Sequence, residues 1–201
     1  MGKMFLWITS VVVIMAFLTV VRTPIATAQP LTGAIFTTNI DSTFVNGNVY
    51  DFGEDVFLNG GPRPNAPCTA AGLPDGDYYF QITDPSGHTL LHEITDTIQF
   101  RKLRVTGGVI DLYYGGPRST GQGKCQNLTG NITIQLFPFV STPNPGGEYK
   151  VWMTRVSDYD PSMRGAFGFI QSKSKTDNFK VVPPDEPTEP CDIEPELCQP
   201  Q

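Results

Sequence analysis

Apolar and polar residues alternate with a period of two through several short runs of this chain, and glycine and proline punctuate the gaps between them. The clearest run is G-D-Y-Y-F-Q-I-T at 76–83, which puts Tyr78, Phe80 and Ile82 on one face and Tyr79, Gln81 and Thr83 on the other. It is entered through Leu73-Pro74-Asp75-Gly76, where proline presets φ at the second position of a turn and glycine accepts a positive φ at the fourth. It is left through a second turn, Asp84-Pro85-Ser86-Gly87. The same pattern predicts strands over 34–40, 43–50 around Asn46-Gly47, 55–58, 89–94, 97–105, 109–114 after the Thr106-Gly107-Gly108 turn, 131–140, 148–156 and 177–182. In the run at 148–156, Tyr149, Val151, Met153 and Arg155 share a face while Trp152 points the other way. The segment 59–67 holds three prolines and reads as a loop. Past residue 28, helical spacing of apolar residues is always interrupted by proline or glycine, so very little helix is expected. The predicted class is all-β: an antiparallel Greek-key β-sandwich of Ig-like or prealbumin-like type, spanning 31–182.

The two ends depart from this pattern. Lys3, the apolar run 4–21 and the small residues Ala26-Thr27-Ala28 predict a signal peptide over 1–28, with the mature chain starting at Gln29. The run of 18 residues is close to the lower limit for spanning a bilayer, so an uncleaved segment would be the one route to membrane attachment. From Pro183 the composition changes to six prolines and six acids with no base, which predicts an acidic, proline-rich tail over 183–201 that builds no core. Cleavage after Ala28 would remove Lys3 and Arg22 and move the formal net charge from −6 to −8. Such a balance argues against nucleic acid and anionic membrane surfaces as partners. Gly147-Glu148-Tyr149 echoes Gly76-Asp77-Tyr78, and the likeness reads either as two similar halves, about 31–115 and 124–182, or as the ordinary look of a sandwich strand entered through a glycine turn.

Four cysteines, Cys68, Cys125, Cys191 and Cys198, follow the export signal, and disulfides are the first reading. Of three connectivities, Cys68 with Cys125 and Cys191 with Cys198 is preferred, because the second pair lies in an isolated tail. No pair has the two-residue spacing of a zinc knuckle.

The turn and strand Leu73, Pro74, Gly76 and Tyr78, with a weaker echo at Pro145, Gly147 and Tyr149, resemble the signature of Cna-B-type and related prealbumin-like modules of bacterial surface proteins. The resemblance covers at most about 100 residues. It implies a stalk or spacer role on a cell surface. Some such modules carry a lysine-to-asparagine isopeptide bond between first and last strands; Asn178 stands in the last strand here, but 34–40 holds no lysine, so the bond is not carried over.

Candidate chemistry is sparse. His88, His92 and Glu93 lie on a predicted hairpin arm, where the two histidines would be about 13 Å apart, too far for one zinc. The glycine-rich 115–124 lacks the first glycine of a phosphate loop, Arg118 standing in its place, and Cys125 replaces the magnesium-binding hydroxyl. Oxygen ligands crowd between Asp41 and Asp55 without matching a calcium loop, which leaves calcium and ordinary turn chemistry both open. No nucleophile elbow occurs, and no catalytic residue, metal ligand or cofactor is assigned. Asn127 and Asn131 begin glycosylation acceptor triplets. Trp152, Tyr79, Tyr113 and Tyr114 form either an exposed platform for sugars or, with both sheet faces covered, part of the core. The expected function is a secreted or cell-surface structural and interaction module, non-catalytic, contacting a protein, an extracellular matrix or a glycan. The alternatives are a carbohydrate-binding module using those aromatics and a small secreted hydrolase.

Overall fold

The computed structural model describes residues 31–128, 130–163 and 165–182. These residues are all-β, with ten strands in two sheets and helical structure confined to short 3₁₀ turns. The strands are β1 (Ala34–Thr38), β2 (Val49–Tyr50), β3 (Phe57–Gly61), β4 (Gly76–Thr83), β5 (Lys102–Thr106), β6 (Val109–Tyr113), β7 (Thr120–Gln122), β8 (Ile132–Gln135), β9 (Glu148–Arg155) and β10 (Ser174–Val181). A four-stranded sheet has the order β1-β3-β8-β7, and a six-stranded sheet the order β2-β10-β9-β4-β5-β6. Every pairing is antiparallel except β2 with β10. Strands from both halves of the chain occur in both sheets.

The period-two alternation decides which side chains meet. Ile35, Leu58 and Ile134 of the smaller sheet pack with Tyr78, Phe80, Ile82, Leu103, Ile110, Tyr149, Val151, Met153 and Phe179 of the larger one in a single buried core. Tyr149 and Phe179, paired across β9 and β10, stack with ring centroids 5.1 Å apart. The 73–76 turn is pinned to the hairpin turn between β5 and β6. Leu73 N–H donates to the Gly108 carbonyl (2.9 Å), and Gly108 N–H donates to the Asp75 carboxylate (3.1 Å). Tyr78 Oη donates to the Pro74 carbonyl (2.6 Å), and Gly76 takes the positive φ, +139°, that the turn requires.

Several predicted strands are shorter or shifted. The 43–50 strand reduces to Val49–Tyr50, because Ser42 and Asn46 adopt left-handed φ of 55° and 56° and Asp41 Oδ1 accepts from Thr43 N–H, which bends the chain into turns. The 89–94 arm reduces to one bridge, Thr83 with Leu90, since the Asp84 carboxylate gathers the N–H groups of Ser86, His88 and Thr89 into a compact turn. The first part of 97–105 is a 3₁₀ turn, Ile98–Arg101, and the last strand begins at Ser174 rather than 177. β7, inside the glycine-rich 115–124, was not expected. Gly121 allows it: a Cβ there would come within 1.9 Å of the Ile40 carbonyl oxygen, which crosses this end of the sheet.

Candidate functional site

Two places gather the chemistry-bearing side chains. The first is the outer face of the six-stranded sheet. Tyr79 on β4 and Trp152 on β9 project there, opposite the core face, as the alternation requires. Both are covered: with Phe169 they form a second apolar cluster, against which Ile98, Val156, Tyr159 and Ala166 pack. Trp152 is 4% exposed and Tyr79 8%. The indole N–H donates to Thr83 Oγ1 (2.9 Å), which fixes the ring plane. The covering segment carries two successive left-handed residues, Ala166 (φ 47°) and Phe167 (φ 51°), a conformation that costs about 1 kcal/mol or more per residue. The buried Gln81 amide holds it down by donating to the Ala166 carbonyl (2.6 Å). A cleft of about 260 Å³ remains between this segment and the turn after β4, lined among others by Ser86, His88, Trp152, Met163 and Gln171.

The other two aromatics lie elsewhere. Tyr113 is half-buried beside the main core and donates to the Phe100 carbonyl (2.6 Å). Tyr114 is 46% exposed, donates to Asp77 (2.7 Å) and lies under the Lys102 ammonium, 4.5 Å from its ring centroid. The four aromatics thus do not make one exposed row.

The second place is a buried charged cluster that the sequence reading did not assemble. Arg118, out of the glycine-rich loop, makes a bidentate pair with Asp96 at 2.9 and 2.6 Å, and its Nε donates to the Leu136 carbonyl (3.3 Å). His92 Nε2 accepts the Ile82 backbone N–H (2.8 Å). Its Nδ1 lies 2.9 Å from Asp96 Oδ2, off the ring N–H axis, so the contact is an ion–dipole one rather than an aligned hydrogen bond. Arg101 Nη1 is 3.9 Å from the same carboxylate, and neither Nε nor Nη1 has a hydrogen-bond partner among the described residues. Burial lowers the His92 pKa to about 4 against the opposing pull of Asp96. Burial works to raise the Asp96 pKa, but the hydrogen bonds from Arg118, with the close contact to the His92 ring, overcome it and hold the carboxyl well below the usual range. Burial lowers the Arg101 pKa to about 10. His92 is therefore neutral, with its one lone pair committed to Ile82 and its ring sealed, and it has no free nitrogen to serve as a base for an outside group. An apolar-walled cleft of about 360 Å³, lined by Phe100, Pro117 and Pro138 with Glu93 and Asp96, opens beside the cluster. The signal in the sequence was faint: His92 and Asp96 stand four apart, Arg101 opens the basic run Arg101-Lys102-Leu103-Arg104, and Arg118 sits alone in a glycine-rich stretch.

Cys68 and Cys125 form the expected disulfide, with Cα atoms 5.6 Å apart. Cys191 and Cys198 lie outside the described residues. Next to the bridge, Lys124 Nζ donates to the carbonyls of Arg63 (3.1 Å), Pro64 and Ala66 (3.0 Å), fixing the proline-rich loop. Asn127 is exposed, whereas Asn131 is buried against Gly123. Among the described residues no group of three or more histidine, cysteine, aspartate or glutamate side chains is placed to hold a metal ion, and no helix is long and apolar enough to cross a membrane. A disulfide of this kind fits an oxidising compartment. A scan against protein-family models, a search of curated proteins and a search of solved structures each returned no match.

Proposed function

We propose that the chain is an exported, non-catalytic structural and interaction module of the cell surface or extracellular space, built as a Greek-key β-sandwich of the prealbumin-like kind. One observation carries the reading: the titratable cluster best suited to chemistry, His92 with Asp96, Arg101 and Arg118, is sealed and spent on fastening the loops 92–101, 115–118 and 136–138 to the end of the sheets. That is a use of charge for architecture. Contact with a protein, matrix or glycan partner would then run through loops and sheet edges.

A second reading, carbohydrate binding, is supported by the cleft at the edge of Trp152, with His88, Ser86 and Gln171 as polar groups around an indole of fixed orientation. Trp152 is the sole tryptophan after residue 28, so acrylamide quenching of its fluorescence, with and without a panel of polysaccharides, separates the two. The structural reading expects weak quenching that no glycan changes. Strong quenching relieved by a glycan would overturn it in favour of the second.

A further inference from the structure

At one end of the sheets, where the chain enters β1, leaves β3 and begins β10, lies a groove of about 450 Å³ lined by Leu31, Arg63, Ala66, Ala70, Ala71 and Lys175 among others. Among the described residues that line it are two cations and no acid. Among the described residues neither Arg63 nor Lys175 makes an ion pair, although the chain as a whole is acidic. The Lys175 ammonium is pushed toward its neutral form by burial and further by the charge of Arg63, the mark of two like charges held together without a counter-ion. The backbone carrying Arg63 is fixed by Lys124 and the neighbouring Cys68–Cys125 bridge, so this pairing of cations is built into the fold.

Residues 183–201 offer the complementary chemistry. They hold six acids, no base, and the run Asp192-Ile193-Glu194-Pro195-Glu196-Leu197, in which acids alternate with apolar residues. β10 leads into them at Val182, seven residues beyond Lys175, which is about 23 Å at about 3.3 Å per strand residue. Proline-rich chain covers about 3.1 Å per residue, so roughly eight residues bring it back, and three or four more reverse its direction. The part that arrives at the groove is then the run from Asp192 onward. We propose that this segment folds back along β10 and docks in the groove of the same molecule, its carboxylates on Arg63 and Lys175 and its Ile193 and Leu197 on Leu31 and the three alanines.

Zero-length carbodiimide coupling on the purified full-length chain, followed by peptide mass spectrometry, tests this directly. The expected product is an amide between Lys175 and Asp192, Glu194 or Glu196 within monomers, suppressed by 0.5 M sodium chloride and by the charge reversal Arg63→Glu. Lys175→Arg keeps the charge, removes the amine and should abolish the product while leaving the circular dichroism spectrum unchanged. Glutamyl endopeptidase cleavage after Glu196, which is followed by leucine, should speed up about threefold or more in an Arg63→Ala/Lys175→Ala double variant. A Lys175 crosslink found only in dimers would give the groove to a second copy and overturn docking within one chain. No Lys175 crosslink to this run, together with a cleavage rate equal in both proteins, would overturn the docking itself.

Discussion

Replacing His92 with glutamine isolates the pH dependence that a buried neutral histidine imposes. In the fold, Nε2 accepts the Ile82 N–H and the ring is sealed, so protonation must break a backbone contact and bury a charge. The folded pKa is accordingly lowered from 6.5 to about 4. A lowered folded value means that the group's contribution is fully present above the unfolded pKa and is lost as pH falls from about 6.5 toward 4. Between pH 7.5 and 5.0 the unfolded chain takes up a proton at this site with a weight of roughly 30, the folded chain almost none, and the difference is about 2 kcal/mol. Asp96, with an ordinary value of 3.8, is ionised in both states throughout that window and adds no slope. Any contribution from Asp177 is common to wild type and variant and cancels. Glutamine can still accept the Ile82 N–H through its side-chain oxygen but does not titrate. Urea unfolding followed by circular dichroism at the two pH values should show wild type losing about 2 kcal/mol more than His92→Gln. Equal losses in the two proteins would refute the argument that burial keeps this ring neutral.

Arg118→Met removes one partner of a buried pair and leaves the Asp96 carboxylate to His92 and Arg101, so a loss of about 3 kcal/mol is expected in the same unfolding assay; a loss under about 1 kcal/mol would mean the pair is not sealed. Asp177 on β10 accepts the Thr37 N–H of β1 (2.8 Å), and burial raises its pKa, so its stabilising contribution is present at low pH and is lost as pH rises through the folded value. Asp177→Asn, which keeps an acceptor and removes the charge, should therefore be at least as stable as wild type at pH 7 by thermal melting, whereas Asp177→Ala, which strands the Thr37 N–H, should cost about 1–3 kcal/mol. Reducing or deleting the Cys68–Cys125 bridge, which spans 57 residues, should cost about 4 kcal/mol in the loop-entropy model, read as a lower urea midpoint.

What the sequence made legible follows from where period-two alternation is uninterrupted. β4 and β9 carry large side chains at every second position between glycine turns, and their predicted faces match the two apolar clusters residue for residue: Tyr78, Phe80, Ile82, Tyr149, Val151 and Met153 inward, Tyr79 and Trp152 outward. The failures occur where backbone conformation or crossing chains, rather than side-chain pattern, set the path. Asn46-Gly47 announces a turn inside 43–50, and Asn46 takes the left-handed φ such a turn uses, but nothing in the apolar pattern announces the second left-handed residue, Ser42, that leaves only Val49–Tyr50 as strand. β7 is Thr-Gly-Gln, with no apolar residue to alternate, and forms because Ile40 passes over a glycine.

The same division explains the charged cluster. Burial of Arg118 is a property of three segments converging, since its guanidinium meets Asp96 and the Phe100 carbonyl of one loop and the Leu136 and Pro138 carbonyls of another, and neither loop announces the other in one dimension. Along the chain, a lone arginine between glycines reads as solvated. Once the sheets place Phe80 beneath it, with the guanidinium carbon 5.2 Å from the ring centroid, solvation is gone and only a carboxylate can compensate. Asp96 is that carboxylate, and its position in turn neutralises the need for water at the mouth of the sheets while His92 stays uncharged. A chain with little helix and many loops closes one end of its core with charge in place of aliphatic bulk. The loops so fixed, 92–101 and 115–118, surround the exposed Ile94 and the cleft at Phe100 and Pro117, so the charged cluster sets the shape of that end of the sheets.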